Sequence, residues 1–329
     1  MRLVMMGTGT FAEPALEALL SSNYQVVGLV TQPDRAVGAE RGSTRQTGKG
    51  MKAIAQEKGV PVYQPESVNT PEGVAKLKEW QPDLLVVAAY GQILSKDVLE
   101  AAAQGGINVH ASLLPKYRGA APIAWAIYHG EKQTGVTIIR MTTGLDAGDI
   151  LAQAWIVIGE DETAGELEAR LAPLGAQLAL KAIDQFATAA HGVHGFAQDK
   201  AQVTKAPKLK KEDGLIDWSR GASEVCNQIR AMQPWPTAYT FFHRQGKAPM
   251  RIIILRGQAY ASLGHPKEQP PGTPDDGAGD QPCLMVHAKH ATSVRILELQ
   301  PAGKKRMTAE EFLRGHPIQP GDHFGPETE

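Results

Sequence analysis

Cysteine is scarce in this chain, because its 329 residues include only Cys226 and Cys283. Two thiols are too few for a disulfide framework or a four-thiolate zinc site. No apolar run approaches the ~20 residues that a membrane-spanning helix needs, and the segment before Gly7 is too short for a signal peptide. A formal net charge of −1 excludes a strongly basic nucleic-acid binder but leaves room for a local basic face. The sequence therefore predicts a cytoplasmic protein with no membrane partner.

The first 200 residues alternate apolar runs with helical patterns. The apolar runs are Leu3–Gly7, Val26–Thr31, Val60–Tyr63, Leu84–Tyr90, Ile107–His110 and Val136–Met141. Between them, Thr10–Glu13 predicts a capping box, and Thr70 before Pro71 predicts a helix start. This alternation predicts an α/β domain whose mostly parallel sheet has helices on both faces.

The pattern changes near residue 205, as expected if a chain of this length holds two domains. Lys205–Lys211 is basic and predicts a linker, and a helix fits Ala222–Met232. Four strands are predicted to form a small barrel or sandwich: Ala238–His243, Met250–Leu255, Cys283–His287 and Val294–Leu299. Gly264–Pro282 predicts a mobile loop, Thr308–Arg314 a capped helix, and the residues after 318 a tail. We therefore expect domains at residues 1–204 and 205–329.

The two predicted domains differ in charge. Residues 1–204 hold 17 basic and 21 acidic side chains, whereas residues 205–329 hold 17 and 14. The formal charges are therefore −4 and +3. This asymmetry favours the second domain as the place where a polyanion would bind.

A glycine-rich turn follows the first predicted strand. Gly7-Thr-Gly9 precedes a predicted helix, and Asp34 follows the second strand at roughly the spacing of a dinucleotide fingerprint. One interpretation is a nicotinamide or flavin site, which would make the chain a dinucleotide-dependent oxidoreductase. The other is a tight turn in an open α/β sheet with no cofactor at all.

Polar side chains end the fifth apolar run. Asn108 and His110 are two residues apart, so on a strand they share a face. Ligands of open α/β sheets bind outside the carboxyl ends of the strands. An Asn donor can hold a developing oxyanion, and a His can move a proton or carry positive charge beside it. The alternative is a polar strand end with a hydrogen-bonded histidine.

A carboxylate follows the sixth run. Asp146 lies between Gly144 and Gly148, which would let a ligand approach the backbone closely. The carboxylate could orient His110 or accept a proton from an attacking amine. An Asx-type turn would explain the same sequence without chemistry.

Basic residues cluster in two places. The first cluster is Arg35, Arg41, Arg45, Lys49 and Lys52, in a glycine-rich stretch. It predicts either a solvated loop or an arm that grips phosphates. The second cluster lies in the predicted linker and includes Lys208, Lys210 and Lys211. No His, Cys and carboxylate pattern typical of a metal site accompanies them, so we expect no metal.

Three of these motifs together resemble the folate-dependent formyltransferase family. They are Asn108-x-His110 with Ser112-Leu-Leu-Pro115, then Arg118-Gly-Ala-Ala-Pro122, then Gly144-Leu-Asp146-x-Gly-Asp149. The resemblance extends over nearly the whole chain and is greatest to the members that act on tRNA. Its other matches are Thr31-Gln-Pro-Asp-Arg35, Ala89-Tyr-Gly91, Ile216-Asp-Trp218, Pro234-Trp-Pro236 and Leu299–Lys305.

The resemblance implies a fold, a reaction and roles for residues. The fold is a Rossmann-like formyltransferase domain followed by a small OB-like β-barrel. The reaction moves the formyl group of 10-formyltetrahydrofolate to the methionine amino group of initiator methionyl-tRNA, for translation initiation. Asn108, His110 and Asp146 would be catalytic, and Ser112, Leu113, Leu114 and Pro115 would contact the folate. Arg35, Arg41, Arg45, Lys49, Lys208, Lys210 and Lys211 would contact tRNA.

Other hypotheses stay open from sequence alone. A dinucleotide-dependent oxidoreductase leaves Asn108-x-His110 and the basic second domain unexplained. Another folate-dependent formyltransferase, with a different acceptor, is a second alternative. A non-enzymatic RNA-binding protein is a third, and it predicts no activity that depends on Asn108. We expect a monomer, and the sequence does not decide which group accepts the proton of the amine.

Overall fold

The computed structural model describes residues 1–34, 49–188, 193–261, 269–275 and 283–328. The chain forms two compact units. The first comprises Met1–Ala126, Lys132–Gly159 and Gly165–Lys208, and the second comprises Ile127–Glu131, Glu160–Ala164 and Leu209–Glu329. Each unit has its own seven-stranded sheet.

The first unit is built on a mostly parallel sheet. Its strands are β1 (Arg2–Gly7), β2 (Gln25–Val30), β3 (Val62–Tyr63), β4 (Leu84–Ala88), β5 (Gly106–His110), β6 (Arg118–Gly119), β7 (Gln133–Arg140), β8 (Ile150–Val157) and β9 (Lys205–Ala206). Seven of them form one sheet in the order β3-β2-β1-β4-β5-β7-β8, while β6 and β9 pair separately. The pairs from β3 to β5 are parallel, and β7 and β8 join antiparallel.

The central strands of this sheet are apolar along their whole length. All five residues of β4 are buried, as are those of β1 after Arg2. Continuous burial is expected where both faces of a parallel sheet are covered. The helices are α1 (Glu13–Leu20), α2 (Met51–Glu57), α3 (Pro71–Trp80), α4 (Lys96–Leu99), α5 (Pro122–Tyr128) and α6 (Ala164–Thr188). The predicted α/β fold is confirmed.

One predicted helix cap is right and another is wrong, although a helix begins near both positions. The hydroxyl of Thr70 accepts from the Gly73 N–H at the start of α3, as predicted. The hydroxyl of Thr10 caps nothing, because it donates to the Glu168 carboxylate at 2.5 Å. Burial raises the pKa of Glu168, and the hydrogen bond from Thr10 opposes that rise. The Thr10 hydroxyl therefore makes a tertiary hydrogen bond with Glu168 and not the local capping hydrogen bond that the sequence pattern predicts.

The second unit is an antiparallel, nearly closed barrel-like sheet, which confirms the predicted barrel. Its strands are β10 (Ala238–His243), β11 (Met250–Ala261), β12 (Pro274–Asp275), β13 (Leu284–Ala288), β14 (Thr292–Pro301), β15 (Met307–Thr308) and β16 (His323–Gly325). Six follow the order β12-β13-β14-β11-β10-β16, and β15 pairs with β14. The register of β11 shifts between Ile254 and Gly257, and such bulges bend a strand. The helices are α7 (Ala222–Ala231) and α8 (Ala309–Gly315), which begins with the capping box predicted at Thr308.

Two connecting segments differ from their predictions. The linker expected at Lys205–Lys211 begins as β9, which pairs in parallel with β6 through Arg118 and Gly119. Of the loop expected at Gly264–Pro282, residues 264–268 and 276–282 lie outside the described residues. Within the described part, Pro274 and Asp275 form β12 and pair with β13.

The tail predicted after residue 318 is also wrong, since its residues complete the second sheet. Strand β16 pairs with β10, and Phe324 is 2% exposed. The Phe324 ring stacks on Phe242 with 4.8 Å between centroids. Asp322 Oδ2 pairs with Arg244 Nε at 3.3 Å. Three residues of strand are too few to recognise by alternation, so the pattern did not indicate it.

We predict that Phe324→Ala destabilises the second unit by ~3–5 kcal/mol, the usual cost of removing a buried phenyl ring. The measurement is chemical denaturation followed by circular dichroism. The control is Phe196→Ala, because Phe196 is 79% exposed and should change stability by less than ~0.5 kcal/mol. Equal, small effects of the two substitutions would mean that the carboxyl-terminal residues do not support the barrel.

Candidate active site

Strand β5 lies inside the first sheet and carries two polar side chains on one of its faces. Its neighbours are β4, which runs parallel, and β7, which runs antiparallel. Asn108 and His110 alternate with the buried residues Ile107 and Val109 and therefore share one face. His110 is 5% exposed, so its ring nitrogens need partners within the protein.

Asp146 meets both of these residues. It lies in the connection between β7 and β8, in a left-handed conformation with φ of 48°. Asn108 Nδ2 donates to Asp146 Oδ1 at 3.2 Å. His110 Nδ1 lies 3.6 Å from Asp146 Oδ2. The structure thus brings together the three side chains that the sequence named as a catalytic group.

The hydrogen bonds of His110 define which nitrogen carries a proton. Its Nε2 lies 2.9 Å from the carbonyl oxygen of Tyr117. A carbonyl only accepts, so Nε2 must donate. In the neutral ring Nδ1 is then the free base, and it faces Asp146. With a proton on Nδ1 the contact with Asp146 would be an ion pair.

The short strand β6 completes the surroundings of the carboxylate. The Gly119 N–H donates to Asp146 Oδ2 at 2.8 Å. Gly119 has φ of 128°, and a Cβ there would lie 2.4 Å from the Ala206 carbonyl oxygen. Only glycine fits this position, because any side chain would push β6 from β9 and carry the N–H away from Asp146.

A second set of contacts holds this arrangement from the segment 198–206. Thr204 accepts the Tyr117 N–H through its hydroxyl, at 2.8 Å, and the Arg118 N–H through its carbonyl, at 2.9 Å. Gln198 Nε2 donates to the carbonyl oxygens of Asp146 and Gly148. Sequence reasoning missed Gln198 and Thr204, since partners 50 or more residues away leave no local pattern. It also missed the Tyr117 carbonyl, because a backbone group carries no sequence signal.

The predicted folate residues form a turn whose backbone is held by hydrogen bonds to Thr137. Thr137 Oγ1 donates to the Ser112 carbonyl at 2.6 Å and accepts the Leu114 N–H at 3.1 Å. The Ser112 hydroxyl is buried and donates to the Lys116 carbonyl. Leu114 is buried too, whereas Leu113 and Pro115 are half-buried. The latter two side chains are therefore the part of the turn that a ligand can reach.

The predicted tRNA residues fall into two groups. Arg35, Arg41 and Arg45 lie outside the described residues. Lys49 is exposed and its Nζ lies 3.7 Å from Glu57 Oε2. The exposed ammonium groups of Lys208, Lys210 and Lys211 make no ion pair with any described residue. These three remain available to an anionic ligand.

The geometry around Gly7 and Asp34 argues against a dinucleotide site. Asp34 already contacts Lys52 at 2.5 Å and Gln64 at 2.9 Å, and these two contacts lower its pKa. A Cβ on Gly7 would lie 2.8 Å from the Ala88 carbonyl oxygen and the Ala12 Cβ. Gly7 is thus explained by packing between β1, β4 and α1, and the Asp34 carboxylate is taken by side chains of its own unit.

The described ranges offer neither a metal centre nor a membrane span. Within them, no group of three or more His, Cys, Asp or Glu side chains could hold a metal ion. No helix in the part of the chain that the structure describes has both the length and the apolar character needed to cross a membrane.

Comparisons with known proteins agree with this geometry. The "Formyl transferase" family model matches residues 1–183, and "Formyl transferase, C-terminal domain" matches residues 208–317. A methionyl-tRNA formyltransferase of Bacillus velezensis is 41% identical over 324 residues, 98% of each chain. That of Desulfotalea psychrophila is 46% identical over 318 residues, which cover 97% of this chain and 94% of the other.

Solved structures show the same fold. An N-formyltransferase from Helicobacter canadensis, in complex with folinic acid and dTDP-3-aminofucose, gives a TM-score of 0.65 at 18% identity. The match covers 89% of this chain and 98% of the other. One family model spans more than half of the chain, and relatives above 40% identity span almost all of it. This chain belongs to the formyl transferase family.

Proposed function

We propose that this chain transfers the formyl group of 10-formyltetrahydrofolate to the α-amino group of methionine on initiator tRNA, for translation initiation. The near full-length relatives named methionyl-tRNA formyltransferase support this acceptor. The observation that carries the chemistry is the contact of Asn108 and His110, on β5, with Asp146. An amide donor, a base and a carboxylate are the groups that acyl transfer to an amine requires.

Asn108 is placed to stabilise the oxyanion. Amine attack on the formyl carbon forms a C–N bond and puts negative charge on the formyl oxygen. The Asn108 amide has two hydrogens, and one is used by Asp146 Oδ1. The same hydrogen bond fixes the plane of the amide, so the second hydrogen has a defined direction. A donor held in advance stabilises developing charge without reorganisation.

Asp146 and His110 are placed to move the proton. The attacking nitrogen must lose one proton, and the folate nitrogen must gain one as its bond to the formyl carbon breaks. His110 Nδ1 is the free base of the ring, because Nε2 donates to the Tyr117 carbonyl. The Asp146 carboxylate stabilises the imidazolium formed in between. One proton accepted and one returned leaves the pair unchanged after each turnover.

The two substrates are assigned to different parts of the chain. We propose that the turn from Ser112 to Pro115 contacts the folate, through the accessible side chains of Leu113 and Pro115. Arg35, Arg41, Arg45 and Lys49 are proposed to guide the end of the tRNA. Lys208, Lys210 and Lys211 are proposed to bind its phosphates. In this division, residues 1–204 are the catalytic domain and residues 205–329 the tRNA-binding domain.

We also propose that the enzyme works as a cytoplasmic monomer. The groups that surround the Asp146 carboxylate come from β5 and β6 of the same chain. A second copy is not needed to complete the site. Analytical ultracentrifugation at the concentration used for assays would test whether the chain is a monomer. Loss of specific activity on dilution would contradict the proposed monomer.

The direct test of the proposed function is formyl transfer by the purified chain. We expect transfer from 10-formyltetrahydrofolate to methionyl initiator tRNA, followed by the formylmethionine released on deacylation. A dTDP-amino sugar serves as the competing acceptor, because a structural neighbour was solved with one. Formylation of the sugar and not of the tRNA would place the chain in another branch of the family.

In this assay, we predict that Asn108→Ala lowers kcat by ~10²–10³, the usual effect of removing one oxyanion donor. The KM for each substrate should change much less. Asn69→Ala is the matched control, because this exposed asparagine also makes two side-chain hydrogen bonds in the same unit. Its kcat should equal that of the unsubstituted enzyme. A near-normal kcat for Asn108→Ala would rule out the proposed oxyanion donor.

For the lysines, we predict that replacing Lys208, Lys210 and Lys211 together by Gln raises the KM for tRNA and leaves folate affinity unchanged. The slope of log affinity against log salt should fall by ~0.7–0.9 for each phosphate that the variant no longer neutralises. A triple Gln variant of the exposed Lys58 and the surface residues Lys76 and Lys96 removes the same charge elsewhere and is the control. If both triple variants bind tRNA with the same reduced affinity, total charge explains the binding and the lysines have no specific role.

A further inference from the structure

A single buried glutamine joins two segments of the site. Gln198 is 9% exposed. Its Nε2 donates to the Asp146 carbonyl at 2.8 Å and to the Gly148 carbonyl at 2.7 Å. Its Oε1 accepts from Arg118 Nε at 3.0 Å and from Arg118 Nη2 at 2.7 Å. Two donors and two acceptor positions are thus all used, which is the full capacity of an amide.

The orientation of this amide follows from its partners. Carbonyl oxygens only accept, and a guanidinium only donates, so the nitrogen and oxygen of Gln198 have one possible assignment. No other uncharged side chain of this length offers two donors to carbonyls and two acceptor positions to arginine. The position therefore demands glutamine for a chemical reason and not only for its size.

The loop that Gln198 holds has little packing of its own. Residues 142–145 and Ala147 are exposed on both sides of Asp146. Asp146 has φ of 48°, a left-handed conformation that costs free energy in most residues, although less in Asp and Asn than in others. At Gly148 a Cβ would lie 1.7 Å from the Arg140 carbonyl oxygen. The loop thus keeps a strained shape, and the two hydrogen bonds from Gln198 restrain its backbone at Asp146 and Gly148.

The Oε1 atom of Gln198 is linked to the Asp146 carboxylate through Arg118 and Gly119. Arg118 precedes Gly119, whose N–H binds Asp146 Oδ2. The Gln198 amide therefore connects the backbone of Asp146 with the strand that binds its side chain. Without this link, the backbone and the carboxylate would no longer be restrained together, and the distances from the carboxylate to Asn108 and His110 would lengthen.

We propose that Gln198 is a positioning residue for formyl transfer, which acts by holding Asp146 against Asn108 and His110. The proposal rests on the proposed function for the reaction that is assayed. Gln198 acts through Asp146 and contacts neither substrate. Its removal should therefore lower the rate of the chemical step and spare substrate binding.

The chain offers a matched control in its second unit. Gln228 is 3% exposed, and its Nε2 donates to the carbonyl oxygens of Asp213 and Leu215 at 2.9 and 2.8 Å. Like Gln198, it fixes two backbone carbonyls with one amide. It lies on α7, and its hydrogen bonds involve no residue of the site. Gln228→Leu therefore removes a matching pair of amide-to-carbonyl hydrogen bonds without disturbing Asp146.

The experiment compares Gln198→Leu with Gln228→Leu in the formyl transfer assay, at a temperature at which both are folded. We expect kcat to fall by ~10–100-fold for Gln198→Leu, the effect of a displacement of up to about 1 Å in a reacting group. KM for both substrates should change by less than about twofold. Gln228→Leu should lower the melting temperature and keep its kcat. Equal kcat values for the two variants would overturn the proposal.

A second variant keeps the test valid if Gln198→Leu fails to fold. Gln198→Glu has the same size and still accepts from Arg118, but it turns an oxygen toward two carbonyl oxygens. It should show the same reduction of kcat with normal folate affinity. In an Asp146→Asn background, Gln198→Glu should cost nothing further, because the two residues act as one unit. If the double variant instead shows the product of the two separate reductions in kcat, Gln198 does not act through Asp146.

The same data separate this proposal from the proposed function. If the unsubstituted chain formylates no methionyl-tRNA, the proposed function fails before any variant is compared. If it is active and Gln198→Glu equals it in kcat, only the positioning role fails.

Discussion

The structure of the site depends on one carboxylate that is almost removed from water. The Asp146 side chain is 10% exposed, and a charged group so placed must be hydrogen-bonded or paired. Its partners are the amide of Asn108, the imidazole of His110 and the N–H of Gly119. They come from β5 and β6, while Asp146 itself comes from the connection between β7 and β8. Three segments must therefore be correctly placed before the carboxylate is satisfied.

The sheet supplies this placement through its topology. The parallel strands end with β5, and the antiparallel β7 returns the chain beside it, so the connection after β7 lies near Asn108. Glycines permit the close approaches: Gly148 against Arg140 and Gly119 against Ala206. The same contacts that satisfy the charge also orient the proposed oxyanion donor, Asn108, and the proposed base, His110. The local fold and the geometry of the proposed active site thus depend on the same set of hydrogen bonds around Asp146.

Much of the site could be predicted from sequence, because side chains of recognisable chemistry stand at the ends of apolar runs. Asn108 and His110 share a face through their spacing of two, and Asp146 stands out between glycines. Gln198 could not be found this way, since its partners are backbone carbonyls and an arginine 80 residues away. In the fold, β16 was missed because three residues show no alternation, and Thr10 was misassigned because a distant carboxylate took its hydroxyl.

In the proposed mechanism His110 takes the proton of the amine on Nδ1, beside the Asp146 carboxylate, because Nε2 is committed to the Tyr117 carbonyl. The most direct measurement is nitrogen NMR of the protein labelled with ¹⁵N in its histidines, with His110 assigned by comparison with His110→Gln. At a pH where the ring is neutral, we predict a proton on Nε2 and none on Nδ1. A neutral His110 that carries its proton on Nδ1 would contradict the account, since Nε2 could then make no hydrogen bond to Tyr117.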